Sequence, residues 1–301
     1  METRLLEYFV AVADELNFTR AAARSFATQS TVSAGIRALE RDLGATLFTR
    51  DTKRVELTPA GQALLEDARA VLDGVEHLRS AAAGSGAELR GRVRVGIFTN
   101  LPGIDLPALA GAFRTRHPLV DLRLTASSTG STGFADDVRT GRLDVAFMGL
   151  PREDLAGLAV HPLLTTRFVA VLPTAHPLAH ADRVALSDLA DDRFVDTPEG
   201  FGNRVVLERA FAASGLRRSV STEAPDLGQI PRFVAAGLGI AVIPDLGLGA
   251  AADIAGNVAV VPLTERLGWE LSAITRPRTT APVDALLDQL RTSVTPPPPT
   301  G

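Results

Sequence analysis

The residues best placed to do chemistry are hydroxyls, an amide and arginines on one short stretch. Thr28, Gln29, Ser30, Thr31, Ser33, Arg37 and Arg41 recur at helical spacing, with small Ala34 among them. Hydroxyls and amides donate to and accept from base edges, and arginines pair with phosphate or guanine. Val32, Ile36, Leu39 and Leu43 fall at i, i+4, i+7 and i+11 on the opposite stripe, the side expected to be buried. A helix of this kind can lie in a DNA major groove with its aliphatic side turned inward.

The flanking elements must position that helix. Thr28 is a suitable N-cap and Gly44 a suitable left-handed terminator, giving about fifteen residues and roughly 22 Å. Ahead of it, Thr19 is expected to cap a helix over 20–26 whose Ala21, Ala22 and Ala23 permit close packing. Residues 3–16 read as an amphipathic bracing helix, with Tyr8 and Phe9 in the core. Behind it, residues 47–50 and 54–57 form a hairpin or wing, carrying Arg50, Lys53 and Arg54. Between residues 19 and 54 there are seven basic and three acidic residues, although residues 1–58 are neutral as a whole. The cations are therefore placed, not merely abundant.

Composition bounds the rest. The chain has 301 residues, a net charge of −4 and 46% hydrophobic residues. These values suit an ordinary globular protein of two or more domains and argue against indiscriminate nucleic-acid coating. There is no cysteine, so disulfides and thiolate metal sites are excluded. No apolar run reaches about 18 residues and no signal core opens the chain, so a cytoplasmic location is expected. One Tyr and one Trp argue against a stacking surface for single strands. His176 and His180 are four apart, but Pro177 spoils a helical metal pair; no metal or cofactor is expected. Gly237-Leu238-Gly239 precedes a strand and reads as a tight turn, not a phosphate loop.

Thr58-Pro59 opens a long helix over 59–83. Leu64, Ala68, Val71, Val75 and Leu78 are spaced 4, 3, 4 and 3 apart, a heptad seam that asks for a second copy of the same helix. Residues 84–90 read as a hinge. From residue 91 the pattern turns to alternating strands and helices, a mostly parallel sheet in two lobes: 91–163 with 268–293, and 164–267. The chain crosses between them near 163–167 and 263–268. Residues 294–301 form a tail without packing partners.

Ligands of open α/β sheets sit beyond the carboxyl ends of the strands. That rule selects Thr99, Asn100, Ser128, Thr129, Met148, Gly149, Thr197, Gly200, Phe201, Gly202, Asn203 and Arg204 as candidate effector contacts. Several precede helix N-termini, which favour anions, and Arg204 or Arg152 is expected to pair with a carboxylate. Phe201 and Met148 are candidate walls.

The N-terminal stretch resembles the winged helix-turn-helix of LysR-type transcriptional regulators. The match runs through Tyr8-Phe9, Val10-Ala11-Val12, Phe18-Thr19, Ala21-Ala22, Gln29, Val32-Ser33, Ile36, Leu39-Glu40, Leu43-Gly44, Leu47-Phe48, Arg50 and Leu57 to Gly61. The family usually has Pro where Ser30 stands, and longer polar residues where Ala34 and Gly35 stand. The C-terminal part is similar to the periplasmic-binding-protein-like effector domain of the same family. There the match is Phe113, His117-Pro118, Gly141, Leu143 to Ala146, His176 to Leu178, Leu186 to Leu189, and Ala235 to Ile240 with Ile243-Pro244.

The resemblance implies a DNA-binding regulator, 1–58 being the winged domain (helix-turn-helix about 18–37, wing about 47–57). Its partners would be a dyad-symmetric duplex operator, a small and preferentially anionic effector, and itself as dimer and tetramer. RNA polymerase joins these if the protein activates. No enzymatic activity and no membrane partner are implied. The competing reading is a solute-binding or enzymatic module of the same α/β fold without a sequence-specific DNA role.

Overall fold

The computed structural model describes residues 2–51, 54–82, 88–99, 101, 103–127, 129–245 and 257–294. The chain divides into two compact units, Met1–Ala87 and Glu88–Gly301. Lys53, Asn100, Ser128, most of the expected hinge and the tail from 295 onward lie outside the described residues. Among the described residues no helix is long and apolar enough to cross a membrane.

The first unit runs α1 (Thr3–Glu15), α2 (Phe18–Arg24), α3 (Gln29–Leu43), the hairpin β1 (Phe48–Asp51) and β2 (Arg54–Leu57), then α4 (Pro59–Ala82). Asn17, not Thr19, caps α2: its side chain accepts from the backbone N–H of Thr19 and Arg20. The helix therefore starts two residues earlier than expected, because a carboxamide one residue before Phe18 reaches both free donors at once. Thr28 caps α3 by accepting from Thr31 N–H at 3.2 Å, and Gly44 ends it at φ 66°. Val32, Ile36 and Leu39 are fully buried, packed in one cluster with Phe9, Leu47 and Phe48. Leu43, expected on the same stripe, is 39% exposed; it sits in the last turn, past the end of that cluster.

Gly35 is buried because α1 crosses α3 there. A Cβ at Gly35 would lie 2.6 Å from Tyr8 Cδ2, so Tyr8 occupies the space a larger residue would need. Glu40 accepts from Leu47 N–H at 2.9 Å and fastens the wing to α3. Buried Arg69 on α4 pairs with Asp14 of α1, which also meets Arg24 at 2.8 Å. Of the expected seam on α4, Ala68 is buried and Leu64 packs beside it in this unit's own core. Val71 and Leu78 remain 44% and 69% exposed.

The second unit begins with β3 (Gly91–Ile97), α5 (Leu106–Arg116), β4 (Val120–Ala126), α6 (Gly130–Arg139) and β5 (Val145–Met148). These are parallel crossovers: β3 pairs with β4 and β5 in parallel. The long strand β6 (Ala159–Pro173) then leads to β7 (Arg193–Asp196), α7 (Gly202–Ala213), β8 (Ser219–Glu223), α8 (Ile230–Ala235), β9 (Ala241–Pro244) and β10 (Val258–Pro262). The strand β11 (Gly268–Thr275) and α9 (Ala281–Ser293) follow.

The expectation of a mostly parallel sheet is corrected. Four pairings are antiparallel: β10 with β6, β11 with β5, β11 with β6 and β6 with β9. The cause is β6. Its first part pairs with β11, and residues 168–173 pair with β9 and β10. One strand thus serves both lobes, and the returning strand must run against it. The apolar core is continuous along it, from Val93, Phe113 and Phe147 through Phe168 and Ala170 to Phe194 and Phe211.

Replacing Gly35 with Ala tests the α1–α3 crossing. In an open helix this change stabilises by about 0.5–1 kcal/mol. Here the added methyl meets the Tyr8 ring, and overpacking typically costs roughly 1–3 kcal/mol. Gly35→Ala is expected to lower the denaturant midpoint of this unit; an unchanged or raised midpoint would show that Tyr8 yields freely.

Candidate nucleic-acid face and effector cleft

The first candidate site is the outer face of α3. Thr28, Gln29, Ser30, Thr31, Arg37 and Arg41 are exposed, and Ser33 is half-buried. The Thr28 hydroxyl lies 2.8 Å from those of both Ser30 and Thr31. Three hydroxyls therefore crowd the positive end of α3, where free backbone N–H groups also favour a phosphate or base acceptor. Arg37 and Arg41 carry no ion pair among the described residues. Arg20 and Arg24, by contrast, are held by Glu15 at 3.1 Å and Asp14 at 2.8 Å. The local excess of cations thus divides: those on α2 brace α1, and those on α3 remain available. Arg50 and Arg54 stand in the two strands of the wing; their side chains, like Lys53, fall outside the described residues.

The second candidate site lies between the lobes of the second unit, where the loops after β3, β5 and β7 converge. Its cavity of about 40 Å³ is walled by Phe98, Leu101, Phe201, Leu227, Trp269 and Leu271. Polar groups are few: Ser131, Asn203 and Asp226. The Ser131 hydroxyl accepts from Gly202 N–H at 3.1 Å. Thr132 N–H donates to the Gly200 carbonyl at 3.1 Å.

Glycines set the closeness of this approach. A Cβ at Gly130 would lie 2.7 Å from the Gly200 backbone, and one at Gly202 would overlap the Gly149 backbone. Gly149 in turn lies under the Trp269 indole, with 2.8 Å between its built Cβ and Nε1. Trp269 is 8% exposed and its N–H has no hydrogen-bond partner among the described residues.

Of the residues expected in this cleft, Gly149, Phe201, Gly202 and Asn203 line the cavity. Gly200 stands at its edge against Thr132. Thr197 is one layer behind, its hydroxyl donating to Asn203 Oδ1 at 3.1 Å. Thr99 and Thr129 are exposed and do not line it. Met148 is not a wall: it is fully buried in a separate core with Phe134 and Ile274, because β5 turns that side chain to the other face.

The arginine assignment is corrected too. Arg204 is buried, donates to the Thr197 carbonyl at 2.9 Å and Glu208 at 2.8 Å, and pairs with Glu223. Arg152 points to Glu270 at 3.0 Å. Neither offers a free cation to the cleft. Behind Asn203, buried Asp196 accepts from its amide at 3.1 Å and meets Arg218 at 2.6 Å. Burial pushes the Asp196 carboxyl above the usual carboxylate range, against the pull of Arg218.

Ser131, Trp269, Leu271 and Asp226 were not singled out from the sequence. Ser131 lies two residues past a selected loop, so a wider window would have reached it. Trp269 and Leu271 are brought in by the pairing of β11 with β6 across about a hundred residues, which no local pattern announces.

A recognition helix on a winged three-helix scaffold, with an α/β unit of two lobes around a small cleft, defines a DNA-binding transcription regulator with an effector domain. Residues 3–62 match the family described as bacterial regulatory helix-turn-helix protein, lysR family, and residues 86–295 match the LysR substrate binding domain. The chain belongs to the LysR family of transcriptional regulators, which removes the enzymatic alternative.

It is 39% identical over 245 residues to the HTH-type transcriptional regulator ShiR of Corynebacterium glutamicum (strain R), covering 80% of this chain and 82% of that one. Over 282 residues it is 33% identical to the Hca operon transcriptional activator HcaR of Escherichia coli (strain K12), covering 90% and 92%. Among solved structures it is similar to full-length OxyR from Pseudomonas aeruginosa, with a TM-score of 0.76 at 26% identity over 98% of this chain and 96% of that one. It is also similar to full-length CbnR in complex with its target DNA, with a TM-score of 0.55 at 26% identity, covering 98% and 100%.

Trp269 is the chain's one tryptophan, so its emission reports on the cleft. Gly202→Ala is expected to hold the two loops apart, red-shifting that emission and increasing its quenching by acrylamide. Unchanged emission would mean that the Gly149–Gly202 approach does not set the width of the cleft.

Proposed function

We propose that the protein binds a dyad-symmetric operator as a dimer and changes transcription in response to a small molecule held between its two effector lobes. The observation that carries this reading is the exposed hydroxyl-and-arginine face of α3, locked outward by a fully buried opposite face. Thr28, Gln29, Ser30, Thr31 and Ser33 would meet base edges and phosphates at the groove. Arg37 would reach a base or phosphate, and Arg50, Lys53 and Arg54 would follow the backbone from the wing. Val71, Val75 and Leu78 would supply the dimer seam of α4, since Leu64 and Ala68 are already engaged within their own unit. Tetramers would pair two such dimers, and an activating role would add contact with RNA polymerase. All of this takes place where the DNA is, in the cytoplasm.

The cleft favours a compact, largely apolar ring compound. Its walls are aromatic and aliphatic, and its only charged lining residue among the described residues is Asp226. An anionic effector would have to draw on N–H groups at the starts of α6 and α7, of which Thr132 and Gly202 are engaged across the cleft in this closed form, because Arg204 is neutralised by its carboxylates. The present cavity is far smaller than the roughly 300–1,000 Å³ of small-molecule sites. Effector binding therefore requires the lobes to part, and this coupling is what would shift the protein between two states. Some relatives are named hydrogen peroxide-inducible genes activators. Peroxide acts on protein thiolates, and this chain has no cysteine, so it cannot respond through a thiol switch.

Arg37→Ala is expected to weaken specific operator binding by about 1–3 kcal/mol if the guanidinium reads a base, measured by footprinting upstream of its own gene. An unchanged footprint and affinity would remove Arg37 from the reading. An inducing compound, found by screening small ring acids and amides in a promoter-reporter strain, should shift Trp269 emission saturably. Emission unaltered at inducing concentrations would place the effector elsewhere.

A further inference from the structure

The end of α2 departs from a pattern that four other helices keep. Four helices, α3, α6, α7 and α8, end in the same way. A residue in the left-handed region donates back three residues, and the next N–H donates back five. The left-handed residue is glycine each time: Gly44 at φ 66°, Gly141 at 68°, Gly215 at 68° and Gly237 at 80°. This is the Schellman arrangement, in which glycine avoids the steric cost of a Cβ.

Helix α2 ends identically: Phe26 N–H donates to the Ala23 carbonyl at 3.3 Å, and Ala27 N–H to that of Ala22 at 3.0 Å. Yet the left-handed residue is phenylalanine, at φ 52°. Its ring is 98% exposed. The other non-glycine residue with positive φ, Leu16, keeps half of its surface covered. Phe26 thus combines an unfavourable backbone with an apolar ring that contributes nothing to this unit's core. Non-glycine residues persist in such conformations mainly where function holds them.

Phe26 lies in the turn of the helix-turn-helix, two residues before the Thr28 cap of the recognition helix. At 3.8 Å per step its Cα is within about 8 Å of that of Thr28. When the start of α3 enters a major groove, this turn comes to the groove's lip. We propose that the Phe26 ring packs against apolar atoms of the bound duplex, either a thymine 5-methyl group or deoxyribose carbons. This makes it a binding residue beyond the polar set on α3. The inference rests on the DNA-binding role of this unit, and its failure is separable from a failure of that role. In the first case only the Phe26 variants behave unexpectedly; in the second the unaltered protein selects no duplex.

The test uses the full-length protein and a duplex selected by it from a random pool. Phe26→Gly and Phe26→Asn both suit the left-handed turn. They are expected to weaken binding about 5- to 20-fold, the loss of a partly buried apolar contact. Phe26→Leu should lose less. The slope of log affinity against log salt should stay the same, since no phosphate contact is removed. Amide exchange across residues 18–43 should be as slow in the Gly and Asn variants as in the unaltered protein, or slower, which excludes unfolding as the cause.

Replacing thymine by deoxyuridine through the half-site then separates the two seats. A loss of about 2- to 5-fold, seen only when Phe26 is present, assigns the methyl group. No loss assigns the sugar. Gly and Asn variants that bind as tightly as the unaltered protein would overturn the proposal, as would variants that change only the oligomeric mass.

Discussion

Val32, Ile36 and Leu39 are withdrawn from water against Phe9, Leu47 and Phe48, and this contact decides which way α3 faces. Advancing the helix by one residue would turn it about 100° and expose that stripe. At roughly 1.5–3 kcal/mol for each buried aliphatic side chain, such a rotation would cost several kcal/mol. That is a large share of the 5–15 kcal/mol by which whole domains are stable. Gly35 adds a steric limit, since Tyr8 fills the space above it. Arg37 and Arg41 therefore point outward as a consequence of apolar packing, not of any attraction of their own.

The second unit applies a similar logic with backbone in place of side chains. Gly130, Gly149, Gly200 and Gly202 let two loops approach to a distance that a methyl group would forbid. The result is a cleft whose narrowness is set by missing atoms and whose walls are aromatic. The charges nearby, Arg204 with Glu208 and Glu223, and Arg218 with Asp196, form ion pairs with one another. The cleft is left with shape, the Asp226 carboxylate and a few hydroxyl and amide groups as its means of discrimination.

What the amino-acid pattern revealed follows the range of the interactions involved. The extent of α3, its Thr28 cap and its Gly44 terminator were readable because all three depend on neighbours within a turn. The cap of α2 is ambiguous in the sequence because Asn17 and Thr19 are both competent; Asn17 takes the place because its carboxamide reaches two free donors at once. Leu43 keeps the spacing of the buried stripe, but spacing does not say where the underlying core stops. In the second unit the parallel crossovers were legible as alternating strands and helices, whereas the antiparallel pairings around β6 were not. Trp269 is the clearest case. It reaches the cleft only because β11 returns from the far end of the chain to pair with β6. Arg204 shows the converse: it follows the lining residue Asn203 in the chain, but its carboxylate partners come from α7 and β8, and they remove it from ligand chemistry.

The fifteen residues of β6 form a beam common to both lobes, with apolar packing continuous along its length. Neither lobe can melt and leave the other intact, because each would lose a strand of its sheet: the edge strand of the first lobe and the central strand of the second. The two lobes should therefore constitute a single cooperative unit in native-state exchange, although they look like separable halves. Relative motion between them would have to pass through the two places where the chain crosses, near 163–167 and 263–268. A regulator built in this way would yield elastically to a bound effector, and would give proteases no half-unfolded lobe to attack while it did so.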